Sequence, residues 1–178
     1  VALQLGSRQN FDLAPLRAEL LRVLKTADVQ VIEIENPLAA SSPRTADDPP
    51  RIRLFPLYPI TPSIDLLITT AGYNAFHESV FGGIPTVFVP NQAAEMDDQH
   101  LRARYAEAAG LGLTLTLADT PRTEEVLARG MSPGFAENVK TRSARLPAPE
   151  GASAAARLIK EFLISVRTDQ PLADRLPR

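Results

Sequence analysis

The chain has 178 residues, the length of one ordinary domain that can bury its own core. Hydrophobic residues make up 44% and charged residues 22%, which is typical of globular proteins. The net charge of -2 leaves no basic face for nucleic acid, and the absence of cysteine excludes disulfides and thiolate metal sites. No apolar run approaches the roughly 20 residues of a membrane span, so we predict no transmembrane segment and a cytoplasmic setting.

Short apolar runs alternate with helical patterns along the chain, which predicts an α/β domain. Residues 66–68 and 87–89 are continuously apolar, as is typical of strands covered on both faces in a parallel sheet. We therefore predict a Rossmann-like, doubly wound parallel sheet of about six strands with right-handed crossovers. The predicted strands are residues 1–5, 29–34, 52–57, 66–70, 86–89 and 113–117.

Apolar residues at helical spacing predict five helices. Asp12 is the expected N-cap of the first, Gly110 the expected stop of the third, and Thr120-Pro121 the expected start of the fourth. The predicted helices lie at about residues 13–24, 74–82, 97–109, 120 onward, and 152–166.

Two segments break this pattern. Residues 36–50 are rich in proline and predict a loop instead of a helix, while the charged residues 166–178 predict a frayed tail. We predict that residues 1–165 form a single domain. Because the chain opens directly on a predicted strand at Val1, without methionine or a leader, we expect a piece of a longer protein or one subunit of two.

The most informative segment is the strand, glycine turn and helix around Gly72. A glycine between strand and helix lets the backbone approach a ligand closely, and the free amides of a helix start favour an anion. Gly72, Tyr73 and Asn74 could thus hold a phosphate, although Gly72 could equally serve only a tight turn.

Glu78 is a lone acid on an otherwise apolar stretch of the predicted helix. An unpaired buried carboxylate is costly, so this side chain is either solvated or accepts hydrogen bonds from a partner such as a ribose diol.

The spacing of Gly72, Glu78, Gly83, Pro85 and Pro90 resembles that of the C-terminal domain of family 28 glycosyltransferases. That family includes the lipid I N-acetylglucosaminyltransferase. The resemblance extends over about residues 1–165, and its specific part is residues 65–99. It implies the C-terminal half of a two-domain GT-B fold, which binds a nucleoside diphosphate sugar, with a UDP-sugar as the expected donor.

The resemblance also implies a role for each matching residue. Glu78 would bind the ribose hydroxyls. Asp98 and Gln99 would bind hydroxyls of the donor sugar, with helix capping by Asp97 or Asp98 as the alternative role. The diphosphate would lie on the amides of residues 71–74, facing the loop Gly6-Ser7-Arg8 across the point where strand order reverses.

The base pocket and the histidines are assigned in the same way. In relatives the nucleobase packs after the third strand, here Phe55-Pro56-Leu57-Tyr58, where backbone groups near Leu57 could read a uracil edge. Phe55 could instead belong to the core. His77 would lie near the phosphates or the sugar, and His100 would cap or pack. With only these two histidines we expect no metal site.

The resemblance implies an inverting glycosyltransferase with an unidentified acceptor. Its general base would lie in an N-terminal acceptor-binding domain or subunit, so this chain alone would be inactive, and membrane association would occur through that missing half. No cofactor is expected, because amides and a helix end would stabilise the departing diphosphate. Residues 36–50 and the short stretch 57–65 depart from the family, which affects base recognition.

Two alternative functions share this architecture. A UDP-N-acetylglucosamine 2-epimerase has a glutamate in the same ribose-binding place but lacks the Asp-Gln segment in this setting. A non-catalytic donor-binding subunit of a split transferase would keep the donor site and leave the remaining functions to a partner chain.

Overall fold

The computed structural model describes residues 1–6, 11–37, 45–93 and 95–167, without the side chains of Tyr58 and Arg167. Within these residues six strands form one parallel sheet in the order β3-β2-β1-β4-β5-β6. The predicted doubly wound α/β fold is confirmed. The strands are β1 (Ala2–Gln4), β2 (Ile32–Glu35), β3 (Arg51–Arg53), β4 (Leu67–Thr69), β5 (Thr86–Phe88) and β6 (Leu113–Thr114).

The helices follow the strands in the expected alternation. They are α1 (Ala14–Thr26), α2 (Tyr73–Gly82), α3 (Gln99–Ala108), α4 (Thr123–Gly130), α5 (Pro133–Ser143) and α6 (Gly151–Arg167), with short 3-10 helices at Tyr58–Ser63 and Leu117–Arg122. In the part of the chain that the structure covers, none of the helices is long and apolar enough to cross a membrane.

The chain divides into two compact units, Val1–Leu146 and Pro147–Arg178. The first contains the whole sheet and α1 to α5, and the second contains α6. The predicted domain extent of residues 1–165 stays a prediction. Of the predicted tail, residues 168–178 lie outside the described residues, as do residues 38–44 of the predicted loop.

Alternating strand residues bury their side chains on opposite faces of the sheet. Ile68 and Val87 pack in one apolar cluster with α1 and α4 residues such as Leu20 and Leu127, and all four are fully buried. Phe88 points to the other face and joins a cluster with residues of α2 and α3. Both faces of the central strands are therefore covered by helices, which explains the continuously apolar runs in the sequence.

Several predicted boundaries are wrong. The third strand ends at Arg53 instead of residue 57, because Pro56 has no N–H to donate and the chain continues into a 3-10 helix. Leu13, not Asp12, is the N-cap residue of α1, although Asp12 Oδ1 still accepts from the Ala14 amide at 2.9 Å. The predicted stop of α3 is confirmed, since Gly110 has the left-handed φ of 69°.

The region after β6 also differs from prediction. Thr116 and Asp119 form a capping box for a 3-10 helix that contains Thr120-Pro121, and α4 begins only after it. Helix α5 is not predicted from the sequence. Its start is nevertheless marked by Ser132, whose hydroxyl accepts from the Phe135 amide, and by a proline in the first turn.

A network of charged side chains ties α1 to strands β2 and β3. Arg17 on α1 donates from Nε to Glu33 Oε1 at 2.6 Å and from Nη2 to Asp48 Oδ1 at 2.7 Å. Arg51 on β3 donates to the other oxygen of Glu33 at 3.0 Å and pairs with Glu35 at 3.0 Å. Because Glu33 is only 8% exposed, its charge depends on these two guanidinium groups.

The network lowers the pKa values of two of its carboxylates, Glu33 and Asp48. Burial alone would raise the pKa of Glu33, but the hydrogen bonds from Arg17 and Arg51 outweigh burial and lower the pKa. The Thr45 amide and then Arg17 donate to Asp48 and lower its pKa from 3.8 to about 2. The ion pairs are therefore complete at neutral pH.

We expect Arg17→Ala to lower the free energy of unfolding by about 2–3 kcal/mol, because it leaves the buried Glu33 with one cationic partner and removes a hydrogen bond from Asp48. Urea unfolding followed by circular dichroism measures this change. The matched control is Arg22→Ala on the same helix, whose exposed pair with Glu19 should have a clearly smaller effect. Equal effects of the two variants would contradict a structural role for the network.

We also expect stability to decrease on acidification below about pH 4. The pKa of Asp48 is lower in the folded chain than its ordinary value of 3.8, so its contribution is complete above that pH and is lost as pH falls through about 2. The comparison is between wild type and Asp48→Asn in urea unfolding at a series of pH values. The variant should be less stable at pH 6, with the difference shrinking toward pH 2. A difference that is independent of pH would refute this origin.

Candidate functional site

Two turns that are distant in sequence meet at the carboxyl edge of the sheet. Strands β1 and β4 are neighbours, with Gln4 paired to Thr69, and their following segments lead to helices on opposite faces. A Cβ built on Gly6 would lie 4.0 Å from the Thr70 hydroxyl oxygen, and one built on Gly72 would lie 3.8 Å from the same atom. The structure therefore places these two glycines at the point where strand order reverses. Ser7 and Arg8, which are also predicted there, lie outside the described residues.

The N-terminus of α2 is open. Gly72 is the N-cap residue, and none of the described side chains accepts a hydrogen bond there from the amides of the first turn. The first helical hydrogen bond runs from the Phe76 amide to the Gly72 carbonyl at 2.9 Å. The amides of Tyr73 and Asn74 precede that bond, and both residues are exposed. Such a helix end attracts an anion through its orphan N–H groups and the helix dipole.

Gly72 itself has no conformational need to be glycine. Its φ of -62° and ψ of 152° are open to any residue. A Cβ there would make ordinary contacts, at 3.8 Å to Thr70 and 4.0 Å to the Gln99 side-chain nitrogen. A tight turn therefore does not explain this glycine.

Glu78 connects α2 to the segment after β3. It is half-buried, and its Oε2 accepts a hydrogen bond from the Leu57 amide at 3.2 Å. The carboxylate is therefore partly buried and has a donor from the protein itself, while its predicted contact with a ribose stays a prediction. Leu57 is buried, with 1% of its surface exposed, so it anchors the segment in the core while its amide meets Glu78. Two predicted site residues that are 21 positions apart are thus in direct contact.

Phe55 does not belong to the core. It is 58% exposed, two residues before Leu57. An exposed aromatic ring is a surface on which a planar ring could stack.

Gln99 and Asp98 differ in environment although they are adjacent. Gln99 is buried, its Oε1 accepts from the Asn91 amide at 3.0 Å, and its side-chain nitrogen approaches Gly72. Asp98 is exposed, and its Oδ1 accepts from the Leu101 amide at 2.8 Å as the N-cap of α3. The capping role expected as an alternative is confirmed for Asp98, while Gln99 faces the glycine turn.

Arg102 is a site residue that the sequence does not reveal. Its Nε donates to the Ala71 carbonyl at 2.8 Å, and its Nη2 forms an ion pair with Asp97. One guanidinium thus connects the residue before Gly72 to the residue before Asp98. No local pattern marks this contact, because Arg102 and Ala71 are 31 positions apart.

The two histidines occupy different settings. His77 Nδ1 is 2.7 Å from the Tyr73 carbonyl, which can only accept, so that nitrogen carries the proton. Its ring also packs on Tyr73, with centroids 4.2 Å apart. His100 Nδ1 is buried and makes no hydrogen bond to any described residue, so it does not act as a cap through that atom.

A cavity of about 1420 Å³ lies at the opposite, amino edge of the sheet. Its wall includes Val1, Pro50, Asp65, Gly83 and Lys140, and none of the predicted site residues. Because ligands of open parallel α/β sheets bind at the carboxyl ends of the strands, the groups around Gly72 remain the stronger candidate site. Among the described residues, no group of three or more His, Asp or Glu side chains is placed to hold a metal ion.

Comparison with solved structures shows a shared fold. The glycotransferase of kitacinnamycin has a TM-score of 0.69 at 20% identity, over 90% of this chain and 42% of that one. MurG of Acinetobacter baumannii has a TM-score of 0.65 at 19% identity, over 90% of this chain and 49% of that one. SsfS6 of Streptomyces sp. SF2575, a glycosyltransferase complexed with thymidine diphosphate, has a TM-score of 0.58 at 23% identity, over 90% of this chain and 40% of that one.

The chain therefore spans less than half the length of these proteins. A search of curated protein sequences finds no match. The sequence pattern of the glycosyltransferase family 28 C-terminal domain matches residues 55–161, which is more than half of the chain and includes Leu57, Gly72, Glu78 and Gln99. This protein belongs to the glycosyltransferase family 28 C-terminal domain family.

Proposed function

We propose that this chain is the donor-binding domain of a glycosyltransferase that uses a nucleoside diphosphate sugar. The observation that carries the proposal is a set of three groups on α2 and α3, the helices that follow β4 and β5. These are the open N-terminus of α2, the Glu78 carboxylate and the buried Gln99 amide. A helix end suits a diphosphate, a carboxylate suits a diol, and an amide that both donates and accepts suits sugar hydroxyls.

The diphosphate would lie against the first turn of α2. The unexplained glycine at position 72 lets the phosphate oxygens approach the backbone, and the positive Gly6 φ of 72° turns the chain after β1 beside it. Backbone amides placed in this way stabilise the negative charge that grows on the leaving diphosphate. This arrangement supports a transfer reaction that needs no bound metal.

Glu78 would hold the ribose. One of its oxygens meets the Leu57 amide, and the structure records no partner for Oε1 among the described residues. An oxygen that can accept two hydrogen bonds suits the 2′- and 3′-hydroxyls of a ribose. Because the Leu57 amide already donates to Glu78, base recognition would rely on stacking against the exposed Phe55 and on other backbone groups.

A UDP-sugar is the donor that we propose. Two related folds, SsfS6 and VinC, were solved with thymidine diphosphate, which makes a dTDP-sugar the competing donor. The two nucleotides share the pyrimidine edge at N3 and O4. They differ at C5, where only thymine carries a methyl group, and at the 2′-hydroxyl, which only UDP carries. A carboxylate that binds both ribose hydroxyls would favour UDP.

We further propose that transfer inverts the anomeric carbon and that the acceptor and general base belong to an N-terminal domain or a partner subunit. The chain covers 42% of the kitacinnamycin glycotransferase, which supports a division of the enzyme into two halves. The presence of Asp98 and Gln99 beside the glycine turn supports transfer over 2-epimerisation.

We expect UDP to raise the melting temperature of the folded chain and Glu78→Ala to weaken UDP binding about tenfold, through loss of charge-assisted hydrogen bonds. Isothermal titration with UDP and dTDP measures both affinities, and the loss should be smaller for dTDP, which has no 2′-hydroxyl. Glu137→Ala, an exposed acid on α5, is the control for a lost negative charge. A ligand at 100 times its dissociation constant adds about 2.7 kcal/mol of stability, so a response is readily seen.

A folded sample that responds to neither UDP, dTDP nor GDP would refute the donor-binding proposal. If Glu78→Ala unfolds the domain instead of weakening binding, the carboxylate has a structural role through its Leu57 contact.

Binding of UDP should be unaffected by EDTA, since amides and not a cation would hold the diphosphate. The measurement is the UDP dissociation constant in EDTA and in added magnesium or manganese chloride. An affinity that falls in EDTA and recovers with either metal would show that a cation takes part.

A further inference from the structure

Arg102 occupies a position from which it contacts both of the turns that form the proposed donor site. It lies in the first turn of α3, with 22% of its side chain exposed. Nε faces the Ala71 carbonyl at the end of the β4 segment, and Nη2 faces the Asp97 carboxylate in the β5–α3 loop. A planar guanidinium with donors in two directions can bridge such acceptors, which a lysine ammonium cannot do in the same geometry.

The contact with Ala71 fixes the orientation of a peptide plane. The Ala71 carbonyl and the Gly72 N–H belong to one trans peptide unit, in which C=O and N–H point in opposite directions. Since Arg102 holds the carbonyl, the Gly72 N–H is directed away from Arg102. That N–H makes no hydrogen bond to any described residue. It is thus an oriented donor at the open end of α2.

The contact with Asp97 holds the loop between β5 and α3, which is the second of the two turns. Asp97 directly precedes the capping residue of α3 and Gln99, whose side-chain nitrogen reaches toward Gly72. The ion pair also neutralises the guanidinium, so Arg102 adds little net charge to the site. Its effect on a bound diphosphate would therefore come from geometry.

We propose that Arg102 is a positioning residue that presents the Gly72 amide to the diphosphate and holds the Asp98-Gln99 segment against the same turn. This inference rests on the proposed donor-binding function. It predicts that Arg102 affects the diphosphate more than the nucleoside, because its recorded hydrogen bonds go to Ala71 and Asp97 and not to Glu78 or Leu57.

The experiment compares UDP with uridine on the full chain. Arg102→Ala should weaken UDP binding about tenfold, the effect of one charge-assisted hydrogen bond, and leave uridine affinity within about twofold. Glu78→Ala should weaken both ligands. In 1H–15N NMR titrations, the Gly72 amide of wild type should shift with UDP and not with uridine, and this shift should shrink in Arg102→Ala. Arg104→Ala, an exposed arginine on the same helix, is the control and should bind UDP like wild type.

Arg102→Lys keeps the charge without the two-directional contact and should remain weakened for UDP. It also serves as the test variant if Arg102→Ala does not fold. Full UDP affinity in the lysine variant, or an equal loss of UDP and uridine in Arg102→Ala, would overturn the positioning role. Wild type that binds neither UDP nor dTDP would instead overturn the proposed function.

Discussion

The parallel pairing of β1 with β4 determines where the groups of the candidate site lie. At that pair the chain departs to opposite faces of the sheet, and among the described residues no helix lies between Gly6 and Gly72. Helices α2 and α3 then cover the same face and bring Glu78 and Gln99 toward one edge. A shift of β4 by a single residue would turn Ile68 and Leu67 to the wrong faces, so core packing holds the register on which the site depends.

Around Gly72, the candidate site combines neutral dipoles with one guanidinium whose charge is already paired. Arg102 is neutralised by Asp97, and the chain as a whole carries a net charge of -2. The described residues thus offer an anion the N–H groups at the start of α2 and the helix dipole. Dipoles of this kind act only at short range and in a fixed direction, which makes the exact backbone path around Gly72 more important than the number of basic residues nearby.

The sequence predicts well those features that depend on local patterns. Continuous apolar runs predict the buried strands β4 and β5, and the spacing of Gly72 and Glu78 predicts a strand-turn-helix unit with an acid two turns in. Contacts between distant residues leave no such pattern. The Arg102–Ala71 hydrogen bond and the use of the Leu57 amide by Glu78 require the folded sheet to become visible.

Other differences between the predicted and the observed structure have local physical causes. Helix α5 buries only Phe135, Val139 and Ser143, so its apolar stripe is too sparse to predict a helix from the sequence. Its N-cap, Ser132, is recognised only once the structure is known. The third strand ends early because a proline without an N–H follows it closely. The sequence also does not show whether the Phe55 ring is buried in the core or exposed, since aromatic residues of both kinds occur beside strands.

The charge network around Glu33 also affects how readily the edge of this sheet can pair with a strand of another chain. An open sheet has two edges, and each could recruit a strand from another chain. Here β3 contributes only three residues to one edge, two of them arginines engaged with Glu33 and Glu35, and β6 contributes two residues to the other. A foreign strand would have to pair with a very short edge and displace paired charges. Of the side chains that fasten α1 to the sheet, Arg51 lies on this edge strand, where paired charges disfavour the addition of a foreign strand.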